Sequence, residues 1–136
     1  MLFRVLIILV SLSSAVASGA QVDVTASLIN PPLTGQDTFE FYCATCHGRD
    51  GTGDGPMASS LNIPPADLTM LAARNGGQFS PALVRELITH ENGTPAHGSS
   101  EMPIWGPIFR TLEPSERVVE TRIESLINYV ESIQAR

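Results

Sequence analysis

The chain has 136 residues, room for one domain and hardly for two. Fourteen acidic side chains face eight arginines and no lysine, and the net charge of −6 disfavours nucleic acid and anionic lipid as partners. With eight aromatic residues and two cysteines, side chains alone fill only a modest core.

Residues 1–20 read as a secretory signal. Arg4 supplies the positive end, Val5 to Leu12 is almost wholly apolar, and the small residues Ala15-Val16-Ala17 and Ser18-Gly19-Ala20 suit cleavage after Ala17 or Ala20. The apolar run is shorter than the roughly 20 residues a bilayer requires, so a cleaved signal is expected rather than an anchor. Export without it leaves seven basic against fourteen acidic residues, a charge of −7. No later stretch is apolar enough to span a membrane, and a soluble mature protein in the periplasm is expected. Residues 21–33 show no helical period, and Asn30-Pro31-Pro32 makes them an extended N-terminal arm. The folded domain then covers 34–136.

Thr34-Gly-Gln-Asp37 is a capping box that predicts a helix from there to about Cys46. Within it, Cys43-Ala44-Thr45-Cys46-His47 is the C-x-x-C-H pattern of c-type haem attachment. Thiols three positions apart share one side of a helix, and the next residue brings an imidazole beneath the same ligand. A dithiol of the thioredoxin kind would want a preceding strand and a βαβ frame. Zinc would want four ligands, commonly a second cysteine pair. An exported chain with two cysteines also invites a disulfide reading, but the histidine directly after Cys46 favours haem. Phe39 shares the face of Cys43 and Cys46 at spacing i, i+4, i+7.

Gly48 to Pro65 holds four glycines and three prolines, a loop able to lie close against a flat ligand. It lacks the G-K-[S/T] ending of a phosphate loop. A short helix is expected over Asp67 to Ala73, halted by Asn75-Gly76-Gly77. Ser80-Pro81 opens another, with Leu83, Val84, Leu87 and Ile88 as its apolar stripe and Asn92-Gly93 as its stop. Thr94 to Pro107 reads as irregular and carries Met102-Pro103. A last helix runs from about Pro114 to Gln134, with Val119, Ile123, Leu126, Val130 and Ile133 on one face.

Taken together, these pieces resemble the class I c-type cytochromes, in their monohaem bacterial periplasmic form. Gly35 and Phe39, the Cys43–Gly48 motif, Pro64-Pro65-Ala66-Asp67-Leu68, Met102-Pro103-Ile104-Trp105-Gly106 and Leu126-Ile127-Asn128-Tyr129-Val130 carry the resemblance. It implies an all-α fold whose N- and C-terminal helices cross, through Gly35, Phe39 and Tyr129, around one covalently bound haem c. It also implies thioether bonds at Cys43 and Cys46, and iron held between His47 and Met102. A proline carbonyl, Pro64 or Pro65, would accept the histidine's Nδ1–H. The absence of lysine departs from the mitochondrial type, so its partners cannot be carried over.

Other residues compete for some of these places. His97, in the same loop as Met102, is the rival sixth ligand and would give a lower-potential carrier. Met70 and Met57 are more weakly placed, and His90, near a helix C-terminus, has an ordinary electrostatic reason to be there. Trp105 could donate its indole N–H to a haem propionate or cover the porphyrin edge, and Arg74 and Arg110 could pair with propionates. The expected role is one-electron transfer between a redox donor and acceptor by a monomer in brief encounters, without enzymatic turnover. The alternatives are the haem subunit of a periplasmic dehydrogenase, or a haem with an open position that binds peroxide or gas.

Overall fold

The computed structural model describes residues 34–90 and 102–135, so the signal, the N-terminal arm, Asn92-Gly93 and His97 lie outside the described residues. Within them there are helices and turns and no strand. Helix α1, Gly35–Tyr42, starts where its cap requires: the Thr34 hydroxyl oxygen accepts from the Asp37 N–H at 3.2 Å. Such a cap contributes about 1 kcal/mol.

The single helix expected to reach Cys46 is instead interrupted at Cys43, whose φ of −112° opens the turn, and resumes as α2, Ala44–His47. Hydrogen bonds still cross the interruption, from Cys43 N–H to Phe39 O at 2.8 Å and from His47 N–H to Cys43 O at 2.9 Å. The chain is therefore bent at the first thiol rather than broken.

After the glycine-rich loop, Asp67 caps a 3-10 turn at Leu68–Met70 that passes into α3, Leu71–Arg74, close to the expected short helix. Helix α4, Pro81–Thr89, begins at Ser80-Pro81 and buries Val84 and Ile88, while Leu83 stays exposed. It stops earlier than Asn92-Gly93. His90 turns into the left-handed region at φ 52° and closes its N–H on Glu86 O at 2.7 Å.

Helix α5, Trp105–Leu112, occupies the end of the stretch read as irregular and continues beyond it. Its proline is the third helical residue, within the first turn, where a missing N–H costs no internal hydrogen bond. Helix α6, Glu116–Ser132, matches the expected last helix. Val119, Ile123, Leu126 and Val130 are buried as the stripe required, with Ile127 beside them.

Helices α1 and α6 cross where α1 carries no side chain. A Cβ built on Gly35 would lie 1.9 Å from the Ser125 carbonyl oxygen and 2.8 Å from Tyr129 Cβ. Four residues on, the Phe39 and Tyr129 rings pack with centroids 5.1 Å apart. The three residues expected at this crossing are the ones that meet there. Phe39, Phe109, Val119 and Ile123 are completely buried in the core that results. Each such side chain contributes roughly 1.5–3 kcal/mol by leaving water.

Arg122 interrupts the pattern: it sits on α6 fully buried, its guanidinium carbon 5.5 Å from the centroid of the Phe109 ring. At the surface Glu120 ties three helices together, receiving Arg85 of α4 at 2.7 Å and Arg110 of α5 at 3.6 Å.

Candidate haem-attachment site

Cys43 and Cys46 are both free and half-buried, at the bend and within α2. Burial, and secondarily the charge of Cys46, push the Cys43 thiol up to about 12. A redox-active dithiol needs the opposite shift, because thiolate is the attacking species. A first thiol held protonated, with a histidine directly after the second, fits thioether formation with a porphyrin better than disulfide exchange. No cluster of three or more His, Cys, Asp or Glu side chains able to hold a bare metal ion occurs among the described residues.

The helix carrying the pair is only one turn long, and it would leave its carbonyls unsatisfied without outside donors. The glycine-rich loop supplies them. Gly53 N–H reaches His47 O at 2.7 Å, Gly55 N–H reaches Cys46 O at 3.1 Å, and Met57 N–H reaches Thr45 O at 3.0 Å. Gly55 has to be glycine for this approach, since an added Cβ would stand 2.5 Å from Thr45 O and 2.6 Å from Cys46 O. The loop thus grips the rear of the attachment helix.

Asp50 shapes the tip of that loop, accepting the Thr52 hydroxyl at 2.8 Å and the Thr52 N–H at 3.2 Å. These bonds, the hydroxyl's first, hold its carboxyl below the usual carboxylate range. A depressed pKa means the turn gains from the ionised form above the unfolded value, and loses that gain as pH falls through the folded one. Replacing Thr52 by valine is expected to move the Asp50 midpoint upward in an NMR titration. An unmoved midpoint would contradict the hydroxyl's role.

The His47 ring nitrogen Nδ1 lies 2.9 Å from the carbonyl oxygen of Ala66. A carbonyl only accepts, so Nδ1 carries the proton and Nε2 is left with a free lone pair. Burial lowers the proton affinity of the ring, partly offset by the Ala66 bond, and so favours the neutral, ligand-competent imidazole. The acceptor expected at Pro64 or Pro65 is thus one residue further on. Pro65 turns its own carbonyl toward Gly53, where an added Cβ would be 2.5 Å from it, and Pro64 is exposed. Ala66 carries no chemical group that marks it in the sequence; only the extended chain before the Asp67 cap hints that its backbone faces the histidine.

On the other side, Trp105 meets Tyr42, the residue before Cys43, edge to face with centroids 5.3 Å apart, and it stacks on Phe109 at 5.9 Å. Trp105 therefore belongs to an aromatic wall beside the first cysteine. Met102 is half-buried in the bend leading into α5, three residues before Trp105. Three residues span at most about 11 Å of chain. Met57 is exposed and Met70 lies half-buried in the 3-10 turn. The arginines are engaged within the protein: Arg74 donates to Asp67 O at 2.9 Å, and Arg110 pairs with Glu116 at 3.0 Å.

A tethered porphyrin fits what these residues offer: two free thiols three residues apart, an imidazole nitrogen with its lone pair free, a glycine loop pressed behind it and an aromatic wall at one edge. No described helix is long and apolar enough to cross a membrane. Comparison with curated proteins and with solved structures gives no match. The family model described as Cytochrome c does match, over residues 33–134. Three-quarters of the sequence is covered, the described part holds helices and no strand, and the chain belongs to the cytochrome c family, whose members carry electrons on a covalently attached haem c.

Proposed function

We propose that the exported chain is a periplasmic monohaem carrier, with thioether bonds at Cys43 and Cys46 and iron held between His47 Nε2 and the Met102 sulfur. Bound haem supplies one iron that changes valence by a single electron. The observation that carries the reading is the hydrogen bond from His47 Nδ1 to Ala66 O, which aims the opposite nitrogen and fixes the ring's tautomer. Ala66 also increases the donor strength of the imidazole, while the Tyr42–Trp105–Phe109 stack keeps water from one edge. A thioether opposite histidine favours the ferrous state. Little needs to move when one electron arrives, which suits brief contacts with a donor and an acceptor. The acidic charge calls for a partner that is basic at its contact, or for docking through an uncharged patch.

An optical spectrum and redox titration of the parent and of Met102→Ala test the ligand set. Axial ligation moves haem potentials over about 0.8 V. Loss of the thioether is expected to lower the midpoint by roughly 0.1 V or more and to let carbon monoxide bind rapidly to the reduced protein. Identical spectra and potentials would remove Met102 from the iron.

A further inference from the structure

The C-terminal end of α6 reaches back to the chain beside His47 through one side chain. Gln134 uses both ends of its amide there. Its Nε2 donates to Leu68 O at 2.7 Å and to Val130 O at 2.8 Å, while its Oε1 accepts from Ala72 N–H at 2.8 Å. The next residue adds a fourth tie, from Ala135 N–H to Thr69 O at 2.8 Å. From the other side, Leu68 N–H is bonded to Gly51 O at 2.7 Å. Leu68 is thus bonded at both its backbone polar groups, two residues beyond the carbonyl that receives His47 Nδ1–H. The intervening Asp67 is held too, its carbonyl by Arg74 at 2.9 Å and its carboxylate by Thr69 N–H at 2.9 Å.

The geometry points to Gln134 as a positioning residue for the proximal histidine: by clamping residues 68–72 to α6, it holds the Ala66 carbonyl at hydrogen-bonding distance from His47. Gln134 acts through backbone and does not touch the ligand. The inference rests on His47 being the iron's proximal ligand. A looser clamp lengthens the hydrogen bond from Nδ1–H to Ala66 O, makes the imidazole a weaker donor to iron, and so favours the ferrous form.

The test uses the full, haem-loaded protein with Gln134→Met, which keeps the length of the side chain and removes its amide. Gln134→Glu, which keeps an acceptor for Ala72 N–H but sets a carboxylate against the Leu68 and Val130 carbonyl oxygens, is the companion should the first fold poorly. Two quantities are read: hydrogen exchange of the His47 Nδ1 proton by NMR, and the midpoint potential. Gln134→Met is expected to speed exchange at least tenfold and to shift the balance about threefold toward ferrous, roughly 28 mV at 59 mV per tenfold change. Gln134→Glu should also speed exchange; its added negative charge by itself favours ferric, so only its exchange rate is compared with the parent. Arg85→Ala, which breaks the ion pair between α4 and α6, serves as the control and should change neither. If both Gln134 variants melt at lower temperature while exchange in both and the potential of Gln134→Met stay at parent values, the side chain only stabilises the fold and the inference is overturned. The ring-proton shifts of His47 in the reduced parent report separately on ligation. Ordinary imidazole shifts there would remove His47 from the iron, whatever the exchange rates show about the clamp.

Discussion

Replacing Gly35 by valine is expected to lower the melting temperature of the haem-loaded protein by roughly 12 °C, read by circular dichroism. The atom that a Cβ would strike is a backbone carbonyl oxygen of α6, 1.9 Å away, with the carbonyl carbon at 2.6 Å. A flexible side chain could swing aside; the Ser125 carbonyl lies within α6 and cannot do so without disturbing the helix. The two helices must therefore separate, and the Phe39–Tyr129 contact loosens with them. Overpacking of this kind costs typically 1–3 kcal/mol and occasionally more. Relief of the glycine's conformational entropy returns less than about 1 kcal/mol. A clash with backbone at 1.9 Å lies above that range, at about 4 kcal/mol, and the net loss of about 3 kcal/mol corresponds to the stated shift at about 4 °C per kcal/mol for a domain of this size. Alanine at the same position should show much of the effect, since Cβ itself makes the clash. A valine variant melting within 2 °C of the parent would mean that α1 and α6 do not approach so closely.

The double substitution Cys43→Ala, Cys46→Ala is expected to abolish covalent haem altogether. Mass spectrometry of the purified protein should then lack the haem increment, and a denaturing gel stained for haem should be blank. Either single variant keeps one thiol and should retain one thioether in reduced yield. The consequence extends to the fold, because half-buried Cys43 packs against the same cluster as Tyr42, Leu68 and Trp105. If the increment survived in the double variant, the attachment chemistry assigned to this bend would be wrong.

Much of this arrangement was legible in the sequence because its signals are local. C-x-x-C-H, the Thr34 and Ser80 caps and the stripe along α6 each depend on neighbours within one or two turns. Gly35, Phe39 and Tyr129 were placed by resemblance, and the crossing brings them together. What escaped depends on geometry that no nearby residue encodes. Cys43 bends the helix without a proline or glycine to announce it. Helix α5 escaped because the stretch to Pro107 reads as irregular, although a proline in a first turn costs nothing and Trp105, Ile108, Phe109 and Leu112 have the period of a helix. Arg122 counts as a solvated charge in any pattern, yet its cation lies over an aromatic ring in the core. Gln134 meets its partners across 62 and 66 residues, a separation with no sequence signature.

The bonds behind the cysteines have a consequence for the timing of assembly. Those from Gly53, Gly55 and Met57 to α2, and from His47 to Ala66, close loops of fewer than 20 residues. Closing short segments sacrifices little chain entropy, whereas docking α6 on α1 must close a far longer one. A nascent polypeptide emerging amino end first can accordingly gather its thiols and imidazole before its tail exists. Haem attachment would then act on a partly shaped hairpin rather than a featureless strand, and the carboxyl end would lock the product afterwards.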